Sequence, residues 1–352
     1  MEIGSSAKLS LFIGVGVLVF ALYLYFFVGF NDIIEVFRLV DPSKYLIYYS
    51  VAIIAMLLSM LFYSMSWNSL LKALSINVGL KKAFIYCWLG IFVDLVVPLE
   101  TISGEVTRIY LVHKETGDSS GRIVASVLVH RIITTIITLG SLIFASFLFL
   151  LKYEISFEVV YLLLTVLSGS IIMIVSLVYL SLKKEAAERL IDLPLRLIAF
   201  IVRGRLNIMN IKERVQRNLI HFHSGFKSFG KKRGALACSI TYGIMAWLFH
   251  MSIFILVFYA LGFYEISTKI SETIVVYSLS MALQSIPVAL PLGLVEIVMT
   301  NLYTLFSIPL ALSGIATLLI RVVTFWLQII IGYAIAQWIG VKSLLSRDPK
   351  ET

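Results

Sequence analysis

The chain has 352 residues, 60% of them hydrophobic and only 14% charged, against roughly 25% charged in a soluble domain. That balance excludes a soluble globular fold, and the net charge of +9 is distributed in a way that suits a membrane surface, not nucleic acid. Cys87 and Cys238 lie in apolar sequence and the five histidines show no ligand spacing, so no disulfide, metal or other cofactor is expected.

Leu9 to Phe30 gives 22 uncharged residues, enough to cross a hydrocarbon core of about 30 Å. It lacks a charged leader and a small-residue cleavage site, so a retained anchor is expected. A second span runs from Tyr45 to Trp67. From Ala83 the pattern changes: an apolar run too short to cross meets Asp94, then Val97 to Tyr110 carries Pro98, Glu100, Gly104, Glu105 and Arg108. Proline removes a backbone donor, glycine loosens a helix, and charges are costly in hydrocarbon. Charged, non-helical backbone at membrane depth survives only where protein buries it or water reaches it. Two half-helices that enter and leave by the same face are therefore expected here, lining a polar cavity.

Gly121 to Leu151 is a third span, with His130 and Arg131 inside it, and Val159 to Leu182 is a fourth. Lys183 to Arg233 is the long polar connection, with 13 Lys/Arg against four acids. Within it Ile211, Val215, Leu219, Phe222, Phe226 and Phe229 form one helical stripe, with Lys212, Arg214 and Arg217 off that stripe. Leu190, Ile191, Pro194, Leu197, Ile198 and Ile201 make a weaker stripe before it. Such a helix either lies on anionic headgroups through its basic residues or packs on the protein's own cytoplasmic end. A fifth span covers Ala235 to Tyr264, where His250 reads as a hydrogen-bonded packing residue. Thr273 to Ile308 then repeats the earlier disruption with Gln284, Pro287, Pro291, Gly293 and Glu296, and Pro309 to Val341 is a sixth span holding Arg321.

The expected fold is an all-α integral membrane protein of one domain, with about six full spans and two re-entrant half-helix pairs, eight hydrophobic segments in all. A first repeat region (45–182) and a second (235–341) flank the basic loop (183–234). Both regions read Pro, Gly, Glu, then a span holding Arg-x-x-Thr: Arg131 to Thr134, and Arg321 to Thr324. Two crossings between them make the repeat inverted, and transporters commonly bind substrate between inverted repeats at broken helices. With the N-terminus cytoplasmic, 23 of the 29 Lys/Arg fall on the inner side and four outside. The positive-inside rule then places both termini in the cytoplasm of a cell-membrane protein.

Arg131 lies nine residues past Arg122, about 13 Å along a helix. Arg321 lies twelve past Pro309, about 18 Å from the opposite face. Both reach the midplane, where an arginine costs roughly 2.5–3.5 kcal/mol on insertion scales and needs a partner or water. By repeat logic the partners are Glu105 and Glu296. Those pairs either serve a transported anion or fix helix packing as ion-pair pins.

At these residues the chain resembles the transmembrane, flippase-like half of lysylphosphatidylglycerol synthases. The family pattern of a proline followed by Gly-Glu-x-x-Arg is met by Pro98, Gly104, Glu105 and Arg108. A Pro-Gly-Gly-x-Gly-x-x-Glu pattern is met only through Pro291, Gly293 and Glu296, and the arginine of the last span by Arg321. A Glu-Arg-x-x-Asp pattern keeps Arg131 but has His130 for Glu and Thr134 for Asp. The synthase half is absent. The resemblance therefore implies a stand-alone member that moves lipid and does not make it.

Residues and resemblance together favour flippase- or scramblase-like movement of an anionic lipid or a polyprenyl-phosphate-linked lipid. Arg108, Arg131 and Arg321, with half-helix N-termini, would replace the hydration of a phosphate. Asp94, Glu105 and Glu296 would balance charge or gate. No Walker motif is present, so this chain is not expected to hydrolyse ATP or to act as an enzyme. Two rivals stand beside it. One is a membrane-embedded transferase using a polyprenyl-phosphate donor, with Asp94, Glu100 or Glu105 as its carboxylate. The other is a non-catalytic partner that positions a glycosyltransferase through the basic loop.

Overall fold

The computed structural model describes residues 40–96, 102–152, 157–183, 208–284 and 293–345, with isolated positions between 22 and 38 and at 185. The first span apart from Leu22 and Tyr25, the 190–201 stripe, Pro98, Glu100, Pro287 and Pro291 lie outside the described residues. Among the described residues the fold is wholly helical: α1 (Pro42–Ala73), α2 (Leu80–Val96), α3 (Ser103–Thr116), α4 (Ser120–Lys152), α5 (Phe157–Leu182), α6 (Ile208–Phe229), α7 (Arg233–Ala260), α8 (Ile270–Gln284), α9 (Leu294–Leu305), α10 (Leu310–Arg321) and α11 (Leu327–Leu345). A π-helical turn, Val322–Trp326, joins α10 to α11 without a break. Helix α1, α4, α7 and the α10–α11 rod are each long and apolar enough to cross a membrane.

Helices α1 and α7 form the central antiparallel pair. Asp41 caps the start of α1 by accepting from the Ser43 and Lys44 amides, and Pro42 follows at the first turn, where its missing N–H costs nothing. Small residues then let the two backbones approach. Ser59 donates to the Ala246 carbonyl at 2.9 Å, and Ser66 donates to the Ser239 carbonyl at 2.9 Å. Lipid tails are as apolar as leucine, so close packing and bonds of this kind, each worth about 0.6 kcal/mol, hold helices together where hydrophobic burial cannot. Large side chains fill the flanks: Met56, Trp67, Leu70, Leu71, Phe254 and Phe258 are all buried.

The antiparallel pair fixes two faces. At one, Arg122 and Lys232 donate to the Leu74 and Ala73 carbonyls, placing two cations on the negative end of α1. At the other, Tyr48 meets Tyr259 and Tyr264 at 5.5 and 6.2 Å between ring centres. Helices α2 and α3 form an antiparallel hairpin on the first face, tied at its mouth by Lys82 and Glu115. Helices α8 and α9 form a second hairpin on the opposite face, where Lys269 donates to the Phe306 carbonyl at 2.9 Å. Packing between the halves is reciprocal: α8 rests on α4, and α2 rests on α11.

Candidate functional site

The first hairpin is built around Asp94. Its carboxylate, near the end of α2, accepts from the Gly104 amide at 2.6 Å and the Ser103 hydroxyl at 3.0 Å, so it caps the N-terminus of α3. A carboxylate at that end offsets both the orphan amides and the helix dipole. Only glycine fits at position 104. A Cβ there would lie 2.2 Å from the Gly90 carbonyl oxygen and 2.3 Å from the Asp94 carboxylate. The second hairpin uses its own glutamate: the Gly293 amide donates to Glu296 Oε2 at 2.7 Å, the reverse half of a capping box. Gly293 has φ +90°, a conformation that costs glycine little. Both half-helix N-termini are thus already held by carboxylates.

The structure brings each midplane arginine to a glutamate, in unequal ways. Arg321 Nε donates to Glu296 Oε1 at 2.6 Å, and the two side chains are only 3% and 5% exposed. The same guanidinium lies over Phe325, 4.6 Å from its ring centre. Arg131 stands 3.8 Å from Glu105, with side chains 28% and 24% exposed. The second pair is sealed and the first is loose. Arg108 is buried and lies over Trp67 at 5.1 Å and Tyr63 at 5.8 Å, a cation–π arrangement. Tyr63 also carries His130 edge-on at 4.5 Å, and that histidine is fully enclosed.

Between the halves lies a cavity of about 670 Å³, well inside the range of about 300–1,000 Å³ for ligand sites. Among the described residues its charged lining residues are Asp94 and Arg131. Arg131, Thr134, Thr135 and Thr138 present one face of α4 to it, a polar stripe at helical spacing. Thr134 and Thr135 donate to the Arg131 carbonyl at 3.0 and 2.8 Å, which leaves their oxygen lone pairs for a guest. Thr324 enters the wall from the π turn that follows Arg321, and such turns cluster at functional sites. Of the three arginines expected to hold phosphate, Arg131 lines this space, and Arg108 and Arg321, like Glu105 and Glu296, are not among its lining residues. Trp247, His250, Tyr277 and Gln328 also face the cavity and were not flagged as site residues by sequence. The visible signal is weak: a Trp–His spacing of three on α7, and Gln328, one of two glutamines in the last span.

Helix α6 packs on the protein through part of its apolar stripe, and the side chains of Lys212 and Arg214 lie outside the described residues. Leu219, Phe222 and Phe229 of its apolar stripe are buried, and the helix packs on the start of α4. His223 Nδ1 pairs with the Ser181 carbonyl at 2.7 Å, tying α6 to the end of α5. These three stripe residues are covered by protein, Val215 and Phe226 are half-buried, and Arg217 and Lys227 remain exposed.

Comparison with known proteins agrees with this architecture. A family described as the lysylphosphatidylglycerol synthase TM region matches residues 13–332. A UPF0104 membrane protein of Methanothermobacter thermautotrophicus is 25% identical over 321 residues, spanning 89% of this chain and 90% of its own length. Similar proteins with that description occur in Methanocaldococcus jannaschii, 25% identical over 319 residues with 89% and 90% coverage, and in Pyrococcus horikoshii, 24% identical over 286 residues with 80% and 84%. No solved structure matches significantly.

Proposed function

This chain belongs to the lysylphosphatidylglycerol synthase TM region family, and from that premise we propose that it moves an anionic phosphate-bearing lipid across the membrane, as a flippase or scramblase. The observation that carries this is Arg131: a cation in the wall of a sizeable cavity, held only loosely by its glutamate. An anion entering the cavity has only a 3.8 Å pair to compete with. Guanidinium presents a planar fork that matches phosphate geometry. The cavity lies between hairpins that enter from opposite faces, as alternating access requires, and we take the two halves to be an inverted repeat. Glu105 would re-engage Arg131 when the cavity is empty. Glu296 and Arg321 would form the sealed counterpart on the other side. In this reading Arg108 supports the first hairpin through Tyr63 and Trp67 and does not touch the lipid.

The test is transbilayer movement of labelled anionic and zwitterionic lipids in liposomes holding the purified protein. Arg131→Gln should slow the anionic lipids at least tenfold while the protein still inserts and purifies. Arg131→Lys should recover only part, because lysine keeps the charge and loses the fork. Full activity in a well-folded Arg131→Gln protein would overturn the phosphate contact. For the transferase alternative, with Asp94, Glu100 or Glu105 as its carboxylate, Asp94 is engaged in capping α3.

A further inference from the structure

The cavity has two chemically different ends. Asp94 and Arg131 make the charged one. The α7–α8 side is built from Trp247, His250, Tyr277, Ser278 and Gln284, none of which carries a carboxylate or a fixed positive charge. Trp247 Nε1 and His250 Nε2 are buried without a hydrogen-bond partner. Both rings sit edge-on to Tyr277, at 6.2 and 5.6 Å between centres, so their orientation is fixed before anything binds.

The donor inventory narrows the guest. An indole N–H can only donate, so it calls for an acceptor. An ammonium headgroup has donors and no acceptor; it would leave the buried Trp247 N–H unmet, which is costly. A hydroxyl both donates and accepts, and so suits an indole, an imidazole, a serine and a side-chain amide at once. The C–H face of a ring or polyol can lie against the indole and phenol. The cavity volume exceeds what a phosphate alone would fill.

We infer that the α7–α8 side of the cavity is a headgroup subsite for a neutral, hydroxyl-bearing group attached to the phosphate. Its anchor rests on the phosphate contact proposed above, but its chemistry does not. A sugar and a glycerol share that chemistry.

The experiment titrates purified full-length protein in detergent with four probes: decyl phosphate, decyl phosphoglycerol, decyl phosphoglucose and decyl phosphoethanolamine. The two hydroxyl-bearing probes should bind about tenfold tighter than the other two, the factor that one or two net hydrogen bonds produce. Whichever of the two binds tighter identifies the source. Trp247→Phe keeps an aromatic face and loses the donor; it should bring both hydroxyl-bearing probes down to the affinity of decyl phosphate and leave decyl phosphate unchanged. Gln284→Ala should narrow the gap in the same sense, and decides the matter if the Trp247 variant does not purify. Equal affinities across the four probes in the native protein would overturn the subsite, as would a preference for ethanolamine. So would a Trp247→Phe loss common to all four. Arg131→Gln separates the two proposals. A gap that survives while all affinities fall supports both, and a gap that survives with no fall keeps the subsite and overturns the phosphate contact.

Discussion

The two arginine–glutamate pairs differ in what removal of one partner should do. Arg321 and Glu296 are both nearly solvent-free, and breaking such a pair leaves an uncompensated buried charge at a cost of about 3–5 kcal/mol. Arg321→Gln should therefore lower the thermal midpoint of the detergent-purified protein sharply. Adding Glu296→Gln should recover most of it, because a glutamine oxygen can still accept from the Gly293 amide. The Arg131–Glu105 pair is a quarter exposed and longer, so Arg131→Gln should move the midpoint far less, within about 1 kcal/mol. Comparing the midpoints of the three variants checks this: a loss for Arg131→Gln as large as for Arg321→Gln would make both pairs pins. The sequence pointed to both arginines and both glutamates, since charges in apolar sequence stand out. It could not separate them, because whether a side chain faces a cavity or a neighbour depends on helix rotation, which spacing alone does not set.

At the scale of elements, the hairpins depend on backbone contact. Gly104→Ala would drive a Cβ into the Gly90 carbonyl and the Asp94 carboxylate, so α3 must shift or lose its cap. A drop of at least about 1 kcal/mol is expected from the lost cap alone. Gly140 in α4 is the control. Nothing lies within 4 Å of a Cβ there, and alanine should stabilise the helix by up to about 1 kcal/mol. Thermal unfolding of the two variants side by side checks both signs; a Gly104→Ala protein as stable as Gly140→Ala would show the hairpin contact to be slack. Asp94, Gly104 and Glu296 were legible as helix-breaking anomalies. Their capping roles were not, because Asp94 reaches a residue ten positions away on a different helix. The stripe of α6 was legible as a helix, but its partner, the start of α4, is distant in sequence, so periodicity could not choose between lipid and protein. The serine ladder between α1 and α7 was invisible for a related reason: isolated serines in apolar spans have no period that marks them.

The whole molecule turns on the antiparallel α1–α7 pair, because its two ends decide which face each hairpin enters. Arg122, Lys82 and Lys232 gather where α1 ends and α2 begins, and α6 with its exposed Arg217 and Lys227 lies at the start of α4 on that same face. The opposite face carries the tyrosine cluster around Tyr48 and the acidic side chains Glu265 and Glu272. A face rich in Lys and Arg is the one retained on the cytoplasmic side. The expected orientation therefore puts Lys231 inside and Ser267 outside, although both flank the same helix, α7. In a background lacking Cys87 and Cys238, Lys231→Cys should react with a membrane-impermeant thiol reagent only after the membrane is opened, and Ser267→Cys in intact cells. Both positions are exposed, so failure to label would not reflect burial. Labelling of both from the same side would mean that α7 does not cross, and the second hairpin could then no longer enter from the face opposite the first. Labelling with the sides exchanged would keep the fold and reverse its direction, placing the cavity's loose Arg131–Glu105 pair toward the exterior face.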